Sequence, residues 1–203
     1  SKVTEFGHNG WSYGGTFEHC TNLKELNIEN WNTESAKDIS NMFSFNGSLT
    51  KLNVNNLNTS SVTAMYAVFS GCNNLTELDL SKWNTSKVTT MDAMFGNCNS
   101  LTNLDLSNWN AENLKSVVNM FQYCISLVSV KLDNLKTDKI TNMQGMFQGC
   151  MSLTEIDLSD FDTKSVTNMA AMFYQCKNLK TIYVKEYDPE TDTGWTTKSS
   201  TAS

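Results

Sequence analysis

Leu75-Thr76-Glu77-Leu78-Asp79-Leu80-Ser81-Lys82-Trp83-Asn84-Thr85-Ser86-Lys87-Val88-Thr89-Thr90-Met91-Asp92-Ala93-Met94-Phe95-Gly96-Asn97-Cys98 reads as one unit of a repeat. The next unit restarts at Leu101, and Leu23, Leu49, Leu75, Leu101, Leu127, Leu153 and Leu179 all keep the same 26-residue phase. Self-similarity at a fixed period of this length is the signature of a solenoid. Leu26, Leu52, Leu78, Leu104, Val130, Ile156 and Ile182 follow three residues later, and Ile28, Val54, Leu80, Leu106, Leu132, Leu158 and Val184 two further on. The resulting L-x-x-L-x-L alternation puts apolar side chains on one face of a short strand.

A second block keeps the register. Trp31, Leu57, Trp83, Trp109, Leu135 and Phe161 are core plugs, each followed by Asn, Asp or Lys. Asn and Asp there can bond their own backbone and turn the chain. The positions exemplified by Val88, Met91, Met94 and Phe95 then follow at spacings that suit a short helix or 3₁₀ segment with one buried face. The Met column is read as gap filling in a core. No unit can bury its own apolar face, so the units must stack. The expected fold is an α/β repeat: a right-handed leucine-rich-type solenoid with about seven short parallel strands, and short helices or 3₁₀ segments on another face. One solenoid domain over 1–203 is expected. Residues 1–22 form a partial repeat with a capping insertion, 23–184 the stack, and 185–203 a degenerate last repeat.

The insertion carries Trp11 and Tyr13, which a binding loop could also use. Net charge is −6, the sequence pI is about 4.9, and every basic side chain is Lys. That balance speaks against nucleic acid and against anionic membrane surfaces. The composition is that of a soluble chain with no membrane insertion. Neither end carries a signal or anchor motif, which leads to the expectation of a piece of a longer protein whose anchor lies elsewhere.

Cys20, Cys72, Cys98, Cys124, Cys150 and Cys176 share one slot, with Asn46 taking it once. Stacked equivalents point the same way, so the slot is read as a free, buried thiol ladder, with disulfides and a metal site as alternatives. Asn46 implies a small side chain that hydrogen-bonds backbone in the bend. Thr33, Thr59, Thr85, Thr137 and Thr163 are expected to form a hydroxyl ladder between turns. Catalysis needs a convergent set of unlike groups, whereas this chain supplies columns of like ones. His8 and His19 fall in no recognisable catalytic order, and no enzyme, cofactor or metal role is expected. Function is sought on the outward strand positions, where Glu77, Asp79, Asp105, Lys131, Glu155, Asp157 and Tyr183 vary from repeat to repeat. A solvated acidic face is the ordinary alternative there.

The combined W-N-T-S, V-T-x-M, M-F and C-x-x-L pieces, as in Trp83–Ser86, Val88–Met91, Met94-Phe95 and Cys98–Leu101, resemble the repeat of the BspA-like bacterial surface proteins, in their mycoplasma and lactobacillus lipoprotein-type branch. Leu57 and Leu135 in the Trp slot and Ala111 in the Thr slot depart from that pattern. The resemblance implies an extracellular, surface-anchored module that adheres to a protein or glycan of a host, of matrix or of another microbe. It supplies no ligand-binding residues. A passive structural spacer and a calcium-dependent adhesin are the other readings.

Overall fold

The computed structural model describes residues 14–28 and 31–185. The capping insertion, with Trp11 and Tyr13, and all of the degenerate last repeat except Lys185 lie outside them. The described chain winds as stacked coils in which equivalent slots lie one above another. Phe17, Phe43, Phe69, Phe95, Phe121, Phe147 and Phe173 form one continuous pile of near-parallel rings, with neighbouring centroids 5.3–5.8 Å apart. The inner five rings are fully buried, and the Met, Leu and Val columns pack around them in one core from Ile28 to Met172. Phe17, Leu23, Phe173 and Leu179, at the two ends, are only partly buried.

Six short strands occur among the described residues: β1 Glu25–Asn27, β2 Lys51–Asn53, β3 Asn103–Asp105, β4 Ser129–Lys131, β5 Glu155–Leu158 and β6 Thr181–Val184. They pair in parallel as β1-β2, β3-β4 and β5-β6, in the register the period dictates, for example Leu104 with Val130. The single sheet of about seven strands expected from the period is therefore three two-stranded sheets. The stretch Glu77-Leu78-Asp79 occupies the strand slot without joining a ladder. Asp79 shares its column with Asp105 of the next coil, and like charges on neighbouring strands oppose close pairing on that side.

The helical expectation is overturned: no helix occurs among the described residues. From Met91 to Cys98 the chain is a ribbon of overlapping turns. Met94, Gly96 and Cys98 donate their N–H groups three residues back, to Met91, Ala93 and Phe95. The alternate N–H groups of Met91, Ala93, Phe95 and Asn97 instead donate to Ser116, Val118, Met120 and Gln122 of the next coil, at 2.7–3.2 Å. Two left-handed residues, Ala93 at φ 53° and Asn97 at φ 60°, turn these groups outward. Corresponding left-handed positions recur in the other coils, at Asn41, Ala67, Asn119, Gly145 and Ala171 and at Phe45, Gly71, Tyr123, Gly149 and Gln175. A 3₁₀ helix closes every N–H on itself; this ribbon closes every second one and ties the rest to its neighbour. Parallel bridges linking Asp38, Ala64, Thr90, Ser116, Asn142 and Asn168 continue the coil-to-coil ladder just ahead of the ribbon.

The polar columns complete the ties. Cys72, Cys98, Cys124, Cys150 and Cys176 donate S–H to the carbonyls of Phe43, Phe69, Phe95, Phe121 and Phe147 at 3.0–3.2 Å. Asn46 donates Nδ2 to Phe17 and to Phe43, both at 2.9 Å, so the Asn does the work of the thiol. All six cysteines are free; four are buried, Cys176 is half-buried and Cys20 is exposed. Thr33, Thr59 and Thr137 donate their hydroxyls to the carbonyls of Asn58, Asn84 and Asp162 in the following coil. This column is buried.

Two outcomes follow. Replacing Phe95 by Ala should lower stability by about 3–5 kcal/mol, since the cavity opens between two rings that the ladder holds apart; Phe173→Ala should cost clearly less in the same urea titration. Burial also raises the Cys72 and Cys124 thiols from 9.0 to about 12. Their contribution is complete below about pH 9 and shrinks as the unfolded chain ionises, at about 1.4 kcal/mol per pH unit for each such thiol, until the folded thiols titrate near 12. The urea midpoint should hold between pH 7 and 8.5 and fall steeply above pH 9; a Cys72→Asn, Cys124→Asn variant should flatten that fall.

Candidate functional site

Outward side chains of the strand slots converge on a groove of about 630 Å³ that spans four coils. Leu52, Leu78 and Leu104 line it together with Lys51, Asn53, Asn55, Glu77, Asp79, Asn103, Asp105, Ser129 and Lys131. It is centred where the strand ladder is interrupted. The main chain of Glu77-Leu78-Asp79 makes no hydrogen bond to β2 or β3, and its peptide groups are left to solvent or to a ligand.

Most of the polar groups are bonded to a coil next door. Asp105 Oδ2 meets Lys131 Nζ at 3.1 Å, and Ser129 Oγ donates to Asn103 Oδ1 at 2.8 Å. Asp79 Oδ2 accepts from Asn55 Nδ2 at 2.6 Å. The remaining oxygens of the aspartates serve the turn that follows the strand slot. Asp79 Oδ1 accepts the Ser81 N–H at 3.0 Å, and Asp105 Oδ1 accepts both the N–H and the hydroxyl of Ser107. These are Asx turns, in which the side chain substitutes for a backbone acceptor two residues away. Glu77 and Lys51 differ: among the described residues neither side chain forms a hydrogen bond or an ion pair. They are the free charges of the groove.

The bonding fixes the ionisation. Hydrogen bonds from Ser107, and then from Lys131, hold the Asp105 carboxyl down at about 2. The Ser81 N–H, with Asn55 beside it, holds Asp79 below the ordinary carboxylate value. Asp105 and Lys131 are both about half exposed, so water screens their pairing and the bridge itself adds little stability.

Of the residues singled out in the sequence, Glu77, Asp79, Asp105 and Lys131 come together here. Glu155 and Asp157 lie on β5 and are not part of the groove lining. Asp157 caps its own turn through Ser159, whose hydrogen bonds lower its carboxyl. Tyr183 lies exposed on β6. Trp11 and Tyr13 lie outside the described residues. Sequence reading missed Asn55, Ser81 and Ser107, although the repeated Asp-Leu-Ser at Asp79–Ser81, Asp105–Ser107 and Asp157–Ser159 was a visible signal for an Asx turn. It also missed that the acidic column has a structural duty.

That duty gives a measurable consequence. In a carboxylate NMR titration Asp105 should ionise near pH 2. Ser107→Ala and Lys131→Ala should each raise its midpoint, because the Ser107 hydroxyl and the Lys131 ammonium both bond the carboxylate, while the residue 107 N–H bond survives in the alanine variant. Since its value is depressed in the folded chain, any stability Asp105 adds is present above its ordinary value of 3.8 and is lost as pH falls through about 2. An unchanged midpoint in both variants would remove these side chains as the cause.

Among the described residues no helix is long and apolar enough to cross a membrane. The chain is similar in fold to a leucine-rich repeat protein from Bacteroides ovatus, with 21% identity and a TM-score of 0.47; the match covers 90% of this chain and 53% of that one. The chain thus spans about half the length of that protein. Comparison with curated proteins finds no match. The family described as Mycoplasma protein of unknown function, DUF285, matches residues 12–129 and 101–199, so the chain belongs to that family.

Proposed function

We propose that this chain is a non-enzymatic interaction module of a BspA-like surface protein, displayed outside the cell, and that it binds a protein partner through the strand-face groove. The observation that carries this reading is the groove itself. Four coils contribute different side chains to it, two charges in it are uncommitted, and three peptide groups beside them are unpaired. Side chains that merely propagated a scaffold would repeat from coil to coil; here the two outward columns change at almost every step.

Protein is favoured over glycan by the lining. Leu52 and Leu104 beneath the groove are buried in the core, Leu78 is half-buried, and no aromatic ring on which a sugar could stack lines it. The mixture of Glu77, Lys51 and amide groups suits an extended peptide segment that offers charges of both signs and main-chain bonds. A calcium-dependent reading has less to stand on, because a calcium ion takes 6–8 oxygen ligands. The oxygens of Asp79 and Asp105 are already engaged in their turns and pairings.

The test is a binding screen of the chain against immobilised matrix proteins and glycans, repeated with the combined variant Glu77→Gln, Asp79→Asn, Asp105→Asn. Asn keeps the Oδ1 acceptor of each Asx turn, so the variant removes charge without removing the turns. Loss of about tenfold or more in affinity is expected for a protein ligand. Undiminished binding would remove the groove from consideration, and binding to glycans alone, or to nothing, would favour the segment that holds Trp11 and Tyr13, or a spacer, instead. Calcium and chelator should leave the thermal midpoint unchanged; a rise with calcium would restore the third reading.

A further inference from the structure

The column His19, Phe45, Gly71, Asn97, Tyr123, Gly149, Gln175 is left-handed throughout, with φ between 56° and 74°. Asn and Gly enter this region easily, whereas the Cβ of a Phe or Tyr there crowds the following carbonyl oxygen. The two aromatics need a compensating contact, and each has the same one. The Phe45 ring lies over Gly71: a Cβ on Gly71 would stand 2.9 Å from its Cδ1 and 3.2 Å from its Cα. The Tyr123 ring lies over Gly149 more closely, and a Cβ there would meet Cε1 at 2.8 Å and Cδ1 at still shorter range. Before Phe45 in the column stands His19, and its ring stacks flat on Phe45, with centroids 4.5 Å apart and planes at 11°. Phe45 and Tyr123 are thus each followed, one coil on, by glycine, whereas the imidazole of His19 is followed by a ring that stacks flat on it.

Each core column offers nearly the same apolar side chain in every coil, so Phe and Met positions cannot tell the next coil from the one after it. The coil-to-coil main-chain bonds are equally blind to order. Skipping one coil would set Phe45 against Asn97 and Tyr123 against Gln175, both of which carry a Cβ at the same left-handed φ. We propose that the Phe45–Gly71 and Tyr123–Gly149 pairs specify coil order, so that only a coil with glycine in this slot can follow a coil with Phe or Tyr there. The inference does not depend on what the groove binds.

Two deletions that each remove one whole period decide it. Removing 98–123 takes Tyr123 out and brings Asn97 onto Gly149; removing 124–149 brings Tyr123 onto Gln175. The second deletion should have a folded-to-unfolded ratio at least about tenfold below the first. Gln175→Gly should restore it in the 124–149 deletion while changing the full chain much less. In the full chain, Gly149→Ala should cost about tenfold more beside Tyr123 than in a Tyr123→Asn background, read by urea titration of all four combinations. Equal cost in both backgrounds would reduce the glycine to a matter of backbone strain and overturn the proposal, even if neither deletion folds. Failure of Gln175→Gly to rescue a folded 124–149 deletion would also overturn it.

Discussion

Every second N–H of the turn ribbon donates to a carbonyl one coil ahead, and the rest of the architecture is arranged around that bond. A peptide group buried without a partner costs more than most side-chain contacts return. The ribbon runs beside the buried Phe pile, so its outward amides need the next coil. This explains why the period is held at 26 residues through the described stack. An insertion of one residue in the ribbon would exchange the amides that close turns with those that reach across. It would also carry the left-handed positions away from the residues that now occupy them.

Side-chain donors extend the same logic to the corners. The thiol column bonds the carbonyl of the Phe residue one coil back, the indoles of Trp83 and Trp109 bond Val54 and Leu80, and the hydroxyls of Thr33, Thr59 and Thr137 bond the turn ahead. Each of these carbonyls lies at a bend. Cysteine suits its slot because it is small, apolar enough for the core and still able to donate. The buried thiols are therefore structural groups, with reactivity suppressed by burial rather than poised for chemistry.

The columns were legible in the sequence because they are columns: burial of Phe69, Phe95 and Phe121, the strand register and the thiol bond implied by Asn46 all follow from phase and residue type. The ribbon was not legible. Apolar spacings of three, three and one satisfy successive turns as well as a 3₁₀ helix, since both close bonds three residues back. The distinguishing feature is a pair of left-handed residues, and Ala67, Ala93 and Tyr123 do not advertise that conformation as glycine would. The groove was legible in part. Alternation placed Glu77, Asp79, Asp105 and Lys131 on the outward face, but whether neighbouring strands pair depends on contacts between coils that no single period contains.

Interruption of the strand ladder fits a division of labour between faces. The bridge at Asp38 and the ribbon carry the coil-to-coil bonds without a gap from Ala64 to Asn168, so the stack does not rely on its strands for continuity. Strand slots can then accept carboxylates in adjacent coils that a continuous sheet would disfavour. Those charges lie in the column that also caps the turns, where Asn53 in one coil and Asp79 in the next make the same bond to the residue two ahead. Exchanging Asn for Asp there changes the surface field and leaves the turn intact. A face tied down elsewhere, with slots that tolerate either charge state, is the part of this solenoid where surface charge can be altered at least cost to the fold.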